Sequence, residues 1–221
     1  MATQPKSNAR KSARSEGRAS AKASPEQRGK RAQNVARKSA STAAQRPKAT
    51  QKSLSDLLEH GLKDMYYAEK KIYRALPKMI RKADHPELKR ALEEHRAETE
   101  GQIQSLETVF ELLGKRARGE KCEAIDGILE EGESLLEDFG DSVASDAAII
   151  FSCQAVEHYE ITRYGSLRAF AEELGLEEIR DHIDAILAQE KAADGKLNEL
   201  AEGSINDAAS EYDTEEESAL A

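Results

Sequence analysis

The chain reads as an all-α protein, a four-helix bundle with one long crossover, and three observations carry that reading. Apolar residues recur every three or four positions over four long stretches between Leu54 and Ala201, the spacing of one helix face. Turn and stop residues divide them: Asp84-His85-Pro86 separates the first two, and Gly175 separates the last two. A link of about 30 residues joins the second stretch to the third, which suits a crossover and not a tight hairpin.

Composition divides the 221 residues unevenly. Residues 1–53 carry 14 Lys/Arg against Glu16 and Glu26, whereas the remainder carries 19 basic and 40 acidic residues. A basic arm precedes an acidic body. Residues 1–52 are mostly Ala, Ser, Lys, Arg and Gln, with Ala-Arg-Lys-Ser-Ala at 9–13 and again at 36–40. Such a segment buries too little surface to offset its ordering entropy, so it is expected to be disordered. Scattered Lys/Arg at this density can neutralise phosphates without reading sequence, which makes non-specific DNA a candidate partner. Only Val35 among large aliphatic residues follows Met1 in the arm, so an amphipathic organellar leader is disfavoured. Two cysteines, Cys122 and Cys153, are too few for a disulfide framework. No apolar run approaches the roughly 20 residues of a membrane span, and no secretory apolar region is visible. A soluble, cytoplasmic protein is expected.

The first helix is expected from about Leu54 to Ala83, with Ser53 or Ser55 as its cap. Its stripe is Leu58, Leu62, Met65, Glu69, Ile72, Leu76 and Ile80, and Pro77 should perturb its second half. The second, about Glu87 to Leu113, follows Leu88, Ala91, His95, Glu98, Gln102, Leu106, Val109 and Leu113, ending at Gly114. The crossover holds a short helix near Ala124–Phe139. The third long helix, about Ser142–Leu174, runs along Ile149, Cys153, Val156, Glu160, Tyr164, Leu167 and Ala171, with Glu157 at the stripe's margin. The fourth, about Glu177–Ala201, runs along Ile179, Ile183, Ile186, Glu190, Asp194 and Leu197. The body is therefore placed at 53–203, and residues 204–221 are read as an acidic, disordered tail.

Acids at the centre of apolar stripes need partners, because a lone buried carboxylate costs several kcal/mol or protonates. A single such Glu is ordinarily a boundary residue paired with Lys or Arg, and a single core His is ordinarily satisfied by hydrogen bonds. Here the acids come as a set. Glu69-x-x-x-Tyr73 matches Glu160-x-x-x-Tyr164, and Glu98-x-x-x-Gln102 matches Glu190-x-x-x-Asp194, so the body reads as two related helical hairpins. Glu69 lies about 16 residues before His85 and Glu98 about 13 after it, while Glu160 and Glu190 each lie about 15 from Gly175. Packed together, the hairpins place four carboxylates at one level. Close pairs would repel by about 4 kcal/mol each at an effective dielectric near 20. Oxygen ligands with an imidazole nearby suit iron or manganese, and one Glu from each of several helices is a di-iron bundle arrangement. Glu69, Glu98, Glu160 and Glu190 are the expected central ligands of a dinuclear site. Glu157, Asp194 and His95 are further ligands or supports, with Tyr73 and Tyr164 within hydrogen-bonding reach.

The stretches DMYYAEKKI (64–72), HRAETEGQIQSLETVFELLG (95–114) and CQAVEHYEITRYGSLRAFAEELG (153–175) resemble the bacterial YciE/YciF group of ferritin-like proteins. The resemblance covers about residues 53–203. It implies a ferritin-like bundle, a homodimer and an association with stress responses. Ferritin-like di-iron proteins carry Glu-x-x-His on two helices, whereas here Gly101 and Ala193 stand three residues after Glu98 and Glu190. The expected function is binding of dinuclear iron or manganese, with oxidation of Fe(II) or consumption of peroxide. The alternative is a DNA-associated architectural or protective protein acting through the arm.

Overall fold

The structure, a computed structural model, describes residues 51–219. Residues 1–50 of the expected arm lie outside the described residues. Helix α1 spans Leu54–Lys82 and opens on a capping box: Ser53 Oγ accepts from the Asp56 N–H at 3.1 Å, and the Asp56 carboxylate accepts from the Ser53 N–H at 2.8 Å. It continues through Pro77 without interruption and buries Met79 where Ile80 was expected. Helix α2 spans Pro86–Leu112 with Pro at its first turn, where a missing N–H costs least. Helix α3 is Glu123–Phe139, α4 Ser145–Glu173 and α5 Glu177–Leu200. Gly114 and Gly175, at φ 65° and 68°, occupy the left-handed positions that stop α2 and α4. The all-α bundle with its helical crossover is as the stripes predict, with boundaries displaced by at most three residues.

The tail differs from expectation. A π turn, Ala201–Ile205, leads into α6, Asn206–Ala219, so residues read as disordered are helical. The wider turn brings both Ala201 and Ile205 into the core, and that anchor carries the helix past the acidic run.

Around the bundle the neighbours are α1, α2, α5 and α4, leaving α1/α5 and α2/α4 as diagonals. Ser105 lies against His182, and Gln102 against Gln189, so α2 and α5 are antiparallel. Tyr164 meets Glu69 and the backbone of Asp84 meets Asp146, so α1 and α4 are antiparallel too. Their close approach uses Gly61, where an added Cβ would stand 2.7 Å from Leu167 Cδ2. The crossover that contains α3 runs along α1 in the same direction, through Lys63–Glu120 (2.9 Å) before the helix, Lys71–Asp126 (2.9 Å) on it and Lys82–Asp141 (2.6 Å) after it. Helix α3 also packs on α4, which is therefore covered on three sides and buries Ile149, Ile150, Cys153 and Val156 together. Among the described residues no helix is long and apolar enough to cross a membrane.

Asp146 ties the hairpins. It sits in the first turn of α4, and its two oxygens accept from the backbone N–H groups of Asp84 (2.9 Å) and His85 (2.8 Å) at the start of α2. One carboxylate thus serves two helix N-termini, where negative charge is favoured. Asp146→Ala is expected to lower stability by about 1–2 kcal/mol in urea unfolding. A variant as stable as the parent would show that this link carries nothing.

Candidate metal centre

Midway along the bundle, apolar layers give way to a polar one. Glu69 of α1, Glu157 and Glu160 of α4, and Glu190 of α5 are at most 2% exposed, and His95 of α2 is 7% exposed. One ligand atom from each of His95, Glu157, Glu160 and Glu190 lies within 4.8 Å of the others. Glu69 adjoins them within hydrogen-bonding reach of Glu160, and it accepts a short hydrogen bond from the fully buried Tyr164 hydroxyl. His95 Nε2 stands 3.4 Å from Glu157 Oε1.

The donors are not satisfied by protein. Glu69 Oε2, Glu157 Oε2, Glu160 Oε1, both Glu190 oxygens and both His95 ring nitrogens have no hydrogen-bond partner. Among the described residues no Lys or Arg is buried, so no protein cation neutralises the acids. Burial and the neighbouring Glu190 charge push Glu69 well above the usual carboxylate range, against the Tyr164 hydrogen bond. Burial and the charges of Glu69, Glu190 and Glu157 do the same to Glu160. Burial and Glu157 raise Glu190. Burial pushes Glu157 up to about 8, and burial pushes His95 down to about 4. Without a metal, burial favours the proton-bearing form of the acids and the neutral form of the imidazole, whose nitrogen lone pair is free to coordinate. Orphaned carboxylate oxygens with a neutral imidazole are the donor set for a hard or borderline divalent cation, and this group could hold a metal ion.

Two expected ligands fall outside the cluster. Glu98 is half-buried and lines a cavity of about 160 Å³ between α2 and α5, whose wall also includes His95 and Glu157. The inward position on that turn of α2 belongs to the buried Thr99. Asp194 points to the groove between α4 and α5, 3.2 Å from the exposed His158. Tyr73 does not join Glu69: its ring lies 4.3 Å from the Arg96 guanidinium carbon. Gln102 is the buried amide at the centre's edge, 3.2 Å from Gln189. Its place on the α2 stripe was the available signal.

The profile of a protein family described as a domain of unknown function, DUF892, matches residues 53–210. The chain belongs to that family. It is similar to Protein YciF of Escherichia coli K12, with 38% identity over 156 residues covering 70% of this chain and 94% of the relative. The crystal structure of the E. coli stress protein YciF matches with a TM-score of 0.67 at 38% identity, covering 71% of this chain and 99% of that one. The YcfI protein of Rhodopseudomonas palustris matches with a TM-score of 0.66 at 46% identity, covering 69% and 98%. A Xanthomonas campestris protein matches with a TM-score of 0.56 at 26% identity, covering 73% and 97%. The resemblance read from the three stretches is thereby confirmed.

The raised acids give this DUF892 protein a signed pH dependence when metal-free. Between the ordinary glutamate value of 4.5 and about 8, unfolded Glu157 is ionised while folded Glu157 holds its proton, so rising pH removes stability. His95 acts oppositely between about 4 and 6.5, where falling pH removes stability. Above pH 6.5 the acids act alone. The Tm of chelator-treated protein is expected to fall from pH 6.5 to 8 by several degrees, at about 2–4 °C per kcal/mol, with a shallower slope in Glu157→Gln. A Tm indifferent to pH in that interval would mean that Glu157 is ionised in the folded apoprotein.

Proposed function

We propose that the protein is a stress-associated metal protein holding a dinuclear iron or manganese centre in its bundle core. Glu69, His95, Glu157, Glu160 and Glu190 would be the ligands, with Glu98 and Asp194 at the centre's two margins. The observation that carries the reading is the convergence of four buried carboxylates and a neutral imidazole from all four long helices without a protein countercharge. Their oxygens and the nitrogen exceed what one six-coordinate ion takes up, which supports two ions. The stress association rests on the likeness to E. coli YciF.

When bound, iron would supply electrons to peroxide or dioxygen as Fe(II) becomes Fe(III). The chain's own part is to orient, dehydrate and hold protons. Tyr164 fixes one oxygen of Glu69 and leaves Oε2 to the centre. Burial keeps His95 unprotonated, so its lone pair needs no proton removed at neutral pH. The acids must release protons as a cation arrives, coupling loading to pH.

Elemental analysis of protein purified without chelator is expected to find about two metals per chain, and none in a Glu69→Ala/Glu160→Ala variant. A folded parent without metal, which also fails to take up Fe(II) anaerobically, would end the reading. A second reading rests on the 14 Lys/Arg of residues 1–53, through which the chain would associate with DNA. Deleting residues 1–52 is expected to abolish DNA retardation in a low-salt gel; undiminished retardation would remove this idea.

A further inference from the structure

His95 and Glu157 form a wall shared by two cavities of opposite character. On one side, between α1, α3 and α4, a space of about 30 Å³ is lined by Ile72, Leu76, Met79, Ile128 and Val156. On the other, between α2 and α5, the cavity of about 160 Å³ carries Glu94 and Glu98 on one helix and Ala192, Ala193 and Lys196 on the other. The crossover helix covers the first side, while no helix among the described residues lies across the second.

A divalent cation gives up hydration water only where oxygen donors replace it. The apolar side offers no carboxylate short of the centre, only the Ser152 hydroxyl, which donates to the Ala148 carbonyl at 2.9 Å. The α2/α5 side offers the Glu94 and Glu98 carboxylates, followed by the orphaned His95 nitrogens and Glu157 Oε2 at its floor. Lys196, the one Lys or Arg in its lining, lies 3.8 Å from Glu199, and Glu94 likewise lies 3.8 Å from Arg90. The small side chains of Ala192 and Ala193 leave the passage open.

We infer that the α2/α5 cavity is the route by which divalent cations reach the centre, with Glu98 as the relay carboxylate that receives the ion before His95 and Glu157 take it. This rests on the metal-centre reading and adds a function for one of the two predicted ligands that stand apart. Glu98 is a positioning residue on this account: it sets how fast the centre fills, not how much it holds.

The test uses the full chain stripped with chelator and mixed with Co(II) alone in a stopped-flow spectrometer, followed by cobalt analysis at equilibrium. Glu98→Gln is expected to slow loading by about tenfold or more and to flatten its salt dependence, with final cobalt content unchanged. Ala193→Leu, which narrows the passage without touching a carboxylate, is expected to slow loading too. Glu130→Gln, an equal charge change on the exposed face of α3, should load like the parent. Parental rates in both Glu98→Gln and Ala193→Leu overturn the route. Reduced final cobalt in Glu98→Gln makes Glu98 a ligand and overturns the relay while leaving the centre intact. Absence of cobalt from the parent removes the centre and the route together.

Discussion

The molecule is built around an electrostatic conflict: four carboxyl groups held in a buried layer with no Lys or Arg among them. At about 4 Å each ionised pair would repel by roughly 4 kcal/mol at an effective dielectric of 20, more than a surface ion pair returns. Protons or cations must therefore sit between them. Folding cannot relieve the conflict by letting the side chains drift outward, because Glu69 and Glu160 each have apolar residues one turn away on both sides, Met65 with Ile72, and Val156 with Tyr164. Those layers contribute about 1.5–3 kcal/mol per fully buried large side chain, which holds the helices at spacings the acids alone would oppose.

The helices were legible because periodicity is a local property. Stripes and stop glycines locate all five helices of the bundle, and they place Glu69, Glu160 and Glu190 inward correctly. What was not legible depended on angles of rotation and on how the halves differ. On α2 both Glu98 and Thr99 satisfy the three-or-four spacing between His95 and Gln102, so the pattern alone cannot choose. Counting from the turn favoured neither decisively, since the level of Glu69 falls nearer Gln102 than Glu98. Packing turns Thr99 inward.

The internal repeat misled for a related reason. It made Tyr73 and Tyr164 equivalent, yet one is stacked on Arg96 and the other is sealed against Glu69. The crossover breaks the pseudo-symmetry, because α3 covers the α1/α4 side, while among the described residues no helix covers the α2/α5 side. A repeat records common sequence; it does not record which face of each copy a third element covers. The tail failed differently. Its acidity argued against a core contact, and one residue, Ile205, supplied one. The π turn that directs it inward has no local sequence signature.

Because the polar layer draws one or more groups from each of the four long helices, it exists only when the whole bundle is assembled. Opening at any one helix removes part of the donor set. An ion held there would act as a clamp on the entire body and not on a segment, since it would bind the native state and have little to bind in a partly opened one. Susceptibility to proteolysis, which follows the population of opened forms, would then be tied to the free concentration of that ion. The lifetime of the folded chain would become a readout of its surroundings.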